Sequence, residues 1–153
     1  MKQGIIKISL ALMLAFFLGS CSNYYISLSS LKQQFNGIDS TKLKEVTVET
    51  PFGGGLLGGP LHYKANPITT IQCTDKNGTT FGLKNGPSIE MRVTYGYKNN
   101  RKVFFFDRVF LTSTSLIGAE SRLIGGLLGT IPLDSIKKIE VQDGHKKYSY
   151  QNN

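Results

Sequence analysis

The sequence is poor in the residues that build stapled or metal-centred proteins. Its 153 residues hold two Cys, two His and no Trp. That excludes a disulfide framework and leaves little material for a zinc cluster. Acids are also scarce, with 10 Asp+Glu against 18 Lys+Arg and a formal charge of +8. They stand singly along the chain, whereas paired-carboxylate catalysis needs two acids converging in one cleft. No H-E-x-x-H, C-x-x-C, G-x-S-x-G or P-loop pattern occurs. A mean hydropathy of −0.12 excludes a multi-span membrane protein. An apolar content of 40% excludes a disordered chain.

The first twenty residues stand apart from the rest. Lys2 and Lys7 precede an apolar run from Ile8 to Leu18 broken only by Ser9. A basic start, a short apolar run and small residues form a secretory signal peptide. The run is shorter than the roughly 20 apolar residues of a comfortable membrane span.

At its end stands Leu18-Gly19-Ser20-Cys21, which resembles the lipobox of bacterial lipoprotein precursors. The resemblance implies a diacylglycerol thioether on Cys21, cleavage before it, and acylation of the new amine. Ser22 stands where the inner-membrane retention signal of enteric bacteria has Asp. The family rule therefore implies an outer-membrane protein facing the periplasm, and membrane partnership through the lipid. Losing residues 1–20 leaves 133 and removes two Lys and no acid, so +8 becomes +6. A thioether at Cys21 also leaves Cys73 without a partner in the chain. Cys73 alternates with Ile71 and reads as a buried structural thiol.

Residues 21–42 read as a tether with a short helix. Leu28, Leu31, Phe35 and Ile38 form a helical stripe that ends at Asn36-Gly37, although the Ser-rich run 27–30 weakens it. The stripe packs on the domain in one reading and lies on the membrane surface in another.

Residues 43–153 read as a β-rich globular domain. Val46/Val48, Ile71/Cys73, Phe81/Leu83, Ile89/Met91/Val93/Tyr95 and Ile139/Val141 all alternate with polar neighbours. Asp75-Lys76-Asn77-Gly78 and Tyr97-Lys98-Asn99-Asn100 supply turns, and Asp143-Gly144 is the cleanest two-residue hairpin signal. The expected fold class is mainly β: a single antiparallel sheet or small barrel built from hairpins, with one or two short helices. Arg101–Thr112 reads as one strand apolar on both faces, with Asp107 and Arg108 its only interior charges, so both faces need covering. The closing stretch Thr130–Val141 resembles the last strand of small β modules in Bacteroidota lipoproteins, a resemblance that supplies no activity.

Two segments repeat a Gly-Gly-Leu-Leu-Gly core, at Gly54–Gly58 and Gly125–Gly129. Gly53–Gly58 formally fits G-x-G-x-x-G, but Gly-Gly-Pro and a polar β-like segment follow instead of a helix, so nucleotide binding is rejected. Leu56, Leu57, Leu127 and Leu128 are the candidate apolar contact residues. Around the second core, Leu116, Ile117, Leu123, Ile124, Leu127 and Leu128 fall on one helical stripe, and three Gly weigh against a helix. Helix or irregular crossover, this stripe is expected to cover the Phe104/Phe106/Phe110 surface.

Neither His62 nor His145 has a ligand set nearby, so no catalytic, cofactor or metal residues are assigned and no cofactor is expected. Export makes nucleic acid an improbable partner for the Lys/Arg pairs, which suit strand edges or a field facing headgroups or glycans. The functional expectation is a lipid-anchored, non-catalytic binding or scaffolding module of the cell envelope, with an envelope protein or glycan as partner. The alternative is a periplasmic carrier of an apolar ligand or lipid that uses the Gly/Leu loops.

Overall fold

The computed structural model describes residues 23–50, 59–124 and 126–151. Cys21 and the Leu56–Leu57 pair therefore lie outside the described residues. In chain order the elements are β1 (Tyr24–Tyr25), α1 (Leu28–Gln34), β2 (Lys44–Glu49), β3 (Leu61–Ala65), β4 (Thr70–Thr74) and β5 (Thr80–Lys84). They continue with β6 (Ile89–Tyr95), β7 (Asn100–Phe105), β8 (Val109–Leu111), β9 (Ser115–Ala119), β10 (Leu128–Pro132), β11 (Ile136–Asp143) and β12 (Ser149–Tyr150).

The fold is mainly β, antiparallel throughout, with one short helix among the described residues, as the alternation of apolar residues predicts. The strands divide over three sheets, ordered β5-β4-β1-β11-β6-β7, β10-β9-β8 and β12-β2-β3. None of these closes into a barrel, so the expected single sheet or small barrel is three antiparallel sheets. The largest sheet carries the core on one face. Ile89, Met91 and Val93 of β6 are buried while the alternate residues Glu90, Arg92 and Thr94 are part-exposed. The expected turns at Asp75–Gly78 and Tyr97–Asn100 join β4 to β5 and β6 to β7. In the first, the Asp75 carboxylate accepts from the Asn77 and Thr79 amides, and Gly78 takes the left-handed conformation at φ +84°.

Residues 24–35 pack into the globular body, the arrangement in which the expected short helix lies on the domain. Tyr24–Tyr25 inserts between β4 and β11, with Tyr24 opposite Val141 and Tyr25 opposite Thr74. The Tyr24 ring meets Phe81 edge-on at 4.5 Å. A two-residue strand has no period to read, and long-range pairing alone reveals it. Helix α1 follows where the stripe predicts. Ser27 caps it, its hydroxyl accepting from the Ser30 amide, so part of the Ser run starts the helix instead of weakening it. Leu31 and Phe35 are buried against the sheet, and the Phe35 ring lies 6.0 Å from that of Phe106.

Three further expectations change. The Arg101–Thr112 strand breaks into β7 and β8 at a 3₁₀ turn, Phe106–Arg108, that carries the chain from one sheet to another. Phe104 and Phe106 are buried, while Val103 on the other face is exposed. The chain does turn at Asp143-Gly144, where Asp143 accepts from the His145 amide and Gly144 donates to the Ser88 carbonyl. It forms no hairpin there, because β12 departs to pair with β2 through Ser149–Glu49 and Tyr150–Val48. The stretch read as helix or crossover is neither: β9 and β10 form an antiparallel hairpin paired from Ser115–Pro132 to Ala119–Leu128. That hairpin covers Phe104 with glycine backbone. A Cβ on Gly118 would lie 2.7 Å from Phe104 Cγ, and one on Gly129 would lie 2.8 Å from Phe104 Cε1. Leu116 and Ile131 complete the cover, both fully buried.

Candidate interaction site

The hairpin end opposite the Ser115–Pro132 pair is where burial and sequence disagree. Leu123, Ile124, Leu127 and Leu128, four of the six residues of the expected covering stripe, are 45–57% exposed. In a hairpin, side chains alternate across the ribbon and at its tip leave the core altogether, so a stripe counted at helical spacing no longer has one face. The tip is nevertheless ordered by local bonds. The Glu120 amide donates to Leu127 O at 3.0 Å, Leu127 to Ile124 O at 3.2 Å, and Ile124 to the Ser121 hydroxyl at 3.1 Å.

Beneath the tip lies a buried polar cluster. Arg122 Nη2 donates to Asp107 Oδ1 at 2.9 Å, and both side chains are shut off from solvent. Oδ2 of the same carboxylate accepts from the Tyr63 hydroxyl at 2.6 Å and the Tyr150 hydroxyl at 2.9 Å. Arg122 Nη1 also bonds to the Tyr63 oxygen. The guanidinium stacks 4.0 Å from the Phe105 ring centre and 5.6 Å from that of Tyr148. Arg108 adds a bond of 2.8 Å to the Ser121 carbonyl and lies over Tyr63. Burial, and after it the Asp107 carboxylate, push the Tyr63 and Tyr150 phenols well above their ordinary value of 10.0. They therefore serve as hydrogen-bond donors and not as acids at any ordinary pH.

Four chain segments meet here: β3 through Tyr63, the β7–β8 turn through Asp107 and Arg108, the hairpin through Ser121 and Arg122, and β12 through Tyr150. Isolated buried charge is very costly, and a paired one bonded by two phenols is held in a single geometry. The cluster is a clamp. It ties the loop end of the hairpin, at Ser121 and Arg122 just before the exposed tip, to the β7–β8 turn.

All four tip residues fall on the expected covering stripe in the sequence, and Leu127 and Leu128 are also candidate contact residues there; all four are exposed. The clamp is not foreseen, although Asp107 inside an apolar run is its signal, because such an acid is buried only with a partner. Arg122 gives no such sign, sitting among Ser, Gly and Leu like any surface Arg. His62 and His145 are both exposed; His62 Nδ1 lies 3.1 Å from the Thr47 hydroxyl. No group of three or more His, Cys, Asp or Glu is disposed to hold a metal among the described residues. Cys73 is buried as a structural thiol, its Sγ directed at the Phe81 carbonyl. Compared with known proteins, the chain matches no family model, no curated protein and no solved structure.

Proposed function

We propose that this chain is a lipid-anchored, non-catalytic binding or scaffolding module of the bacterial cell envelope, held by lipid on Cys21 and using the β9–β10 tip as its contact surface. One observation carries the contact surface: four large apolar side chains stand in solvent at the end of a hairpin whose loop is tied down by a buried ion pair. Single exposed apolar residues are common, whereas a contiguous exposed group marks an interaction site. The anchor rests on Leu18-Gly19-Ser20-Cys21 behind its apolar run, and the outer-membrane address on Ser22.

The carrier alternative draws less support. The apolar groove lined by Ala65, Pro67, Ile68 and Tyr150, with Lys44 and Lys84, holds about 270 Å³. Its buried amides are already engaged, Asn66 with the Phe106 and Val109 carbonyls and Asn85 with Ile68 O.

The test is fractionation of cells expressing the chain and its Cys21→Ala variant. The unaltered protein stays with membranes through carbonate washing, and its N-terminal peptide carries acyl mass on Cys21. A Cys21→Ala protein equally resistant to carbonate overturns the anchor.

A further inference from the structure

The two parts of that proposal, anchor and tip, are related by the register of the largest sheet. Tyr24 lies opposite Val141, Val141 opposite Met91 and Met91 opposite Phe104. One residue further toward Asn23 the row reads Gln142, Glu90, Phe105. Asn23 and Phe105 thus stand at one level of the sheet, three strand spacings or about 14 Å apart. Arg122 stacks on Phe105, and the next residue, Leu123, opens the exposed tip.

The direction of the hairpin agrees. Its far end, Ser115–Pro132, adjoins the Leu133–Ser135 turn, where Leu133 donates to Thr114 O. The Ser135 carbonyl there accepts from Gly96 in the β6–β7 turn, at the end of the sheet away from Asn23. The near end is bonded through Ser121 to Arg108, in the 3₁₀ turn that follows β7. The hairpin therefore runs toward the Asn23 side of the sheet and has its loop there.

Cys21 precedes Asn23 by two residues, which span about 7 Å at full extension. A lipid at Cys21 leaves no room for a tether: this end of the sheet must lie against the bilayer, and the tip lies at the same end. We infer that the occupant of the tip is the lipid surface itself, with Leu123, Ile124, Leu127 and Leu128 seated in the headgroup–acyl boundary as a second attachment beside the acyl chains. The inference rests on the lipoprotein reading. Apolar area drives the seating. The basic groups nearby are largely committed, Arg122 to Asp107 and Lys146 to Glu90, while Lys147 is exposed at this end and available to headgroups. The consequence is a fixed orientation: Tyr97, 95% exposed in the β6–β7 turn, faces away from the membrane.

Photocrosslinking in membranes tests this on the full chain, with benzoylphenylalanine in place of Ile124 in one variant and of Tyr97 in another. Both positions are solvent-exposed, and an unchanged urea midpoint verifies that each variant folds. The expected result is phospholipid adducts at position 124 about tenfold or more above those at 97, in line with buried apolar contact. With acyl mass on the Cys21 peptide, adducts at 124 only with protein, or with nothing, overturn the lipid contact and leave the anchor standing. With Cys21 unmodified, lipid adducts at 124 keep the contact and overturn the anchor. Neither modification nor lipid adduct overturns both.

Discussion

Asp107 and Arg122, fifteen positions apart, form a fully buried ion pair with Nη2 to Oδ1 at 2.9 Å, and through it the turn after β7 holds the loop end of the β9–β10 hairpin. The two partners are not equivalent. Asp107 keeps two phenolic donors if Arg122 is lost, whereas Arg122 without Asp107 is left as a buried cation with no counter-charge, only the neutral Tyr63 oxygen and aromatic faces around it.

Removing the acid is therefore expected to cost more than removing the base. Asp107→Ala should destabilise the fold by about 3–5 kcal/mol, and Arg122→Met, which keeps the packing volume, by about 1–3 kcal/mol. Urea unfolding of both variants at neutral pH measures the difference, and equal losses or the reverse order contradict the clamp.

The clamp also sets an alkaline limit. Tyr63 and Tyr150 have folded-state values raised above 10.0 by burial and by the Asp107 charge. In the unfolded chain they ionise near 10, so above that pH the native state binds more protons and stability falls as pH rises. Their contribution is complete below pH 10 and is lost progressively above it. Denaturation profiles should show this loss, and Tyr63→Phe, which has no proton to lose, should flatten it. An unchanged alkaline slope in Tyr63→Phe removes Tyr63 from the account.

Gly118 is held by space rather than by backbone angle. A Cβ there would meet three atoms of Phe104 between 2.7 and 3.0 Å away, and the Phe104 ring is fully buried and has nowhere to go. Gly118→Ala is expected to cost about 1–3 kcal/mol through overpacking. Gly126, with nothing within 4 Å of a Cβ, is the comparison: Gly126→Ala should leave the thermal midpoint close to that of the parent. Equal losses at both positions would show that the hairpin does not pack on Phe104.

Thiol counting separates the two cysteines. Burial pushes the Cys73 thiol up, and the side chain is 3% exposed, so it should react with an alkylating reagent only on unfolding. The mature membrane form should then yield one reactive thiol in denaturant, the other sulfur being a thioether. Two thiols in the purified membrane form would contradict lipidation, and rapid reaction of Cys73 in the native state would contradict its place in the core.

The sequence alone determines the β class, most strand positions, the α1 stripe and the burial of Cys73. These follow from local periods of two and of three to four, which survive in the chain because each element has one wet and one dry face. The lipobox expectation is legible for a different reason, since a processing signal is read in linear form. Tertiary structure decided what had no local period. Tyr24–Tyr25 is too short to show one, and only Val141 and Thr74 on either side make it a strand. Asp143-Gly144 turns the chain as its residues require, but pairing with β2 and the Asp107 bond to Tyr150 decide where β12 goes. Leu123, Ile124, Leu127 and Leu128 read as core because apolar residues at helical spacing ordinarily are. Tight contact of Gly118 and Gly129 with Phe104 makes the segment a hairpin and sends those four side chains into solvent. Burial is a property of what lies opposite a residue in space, and no window of the sequence contains it.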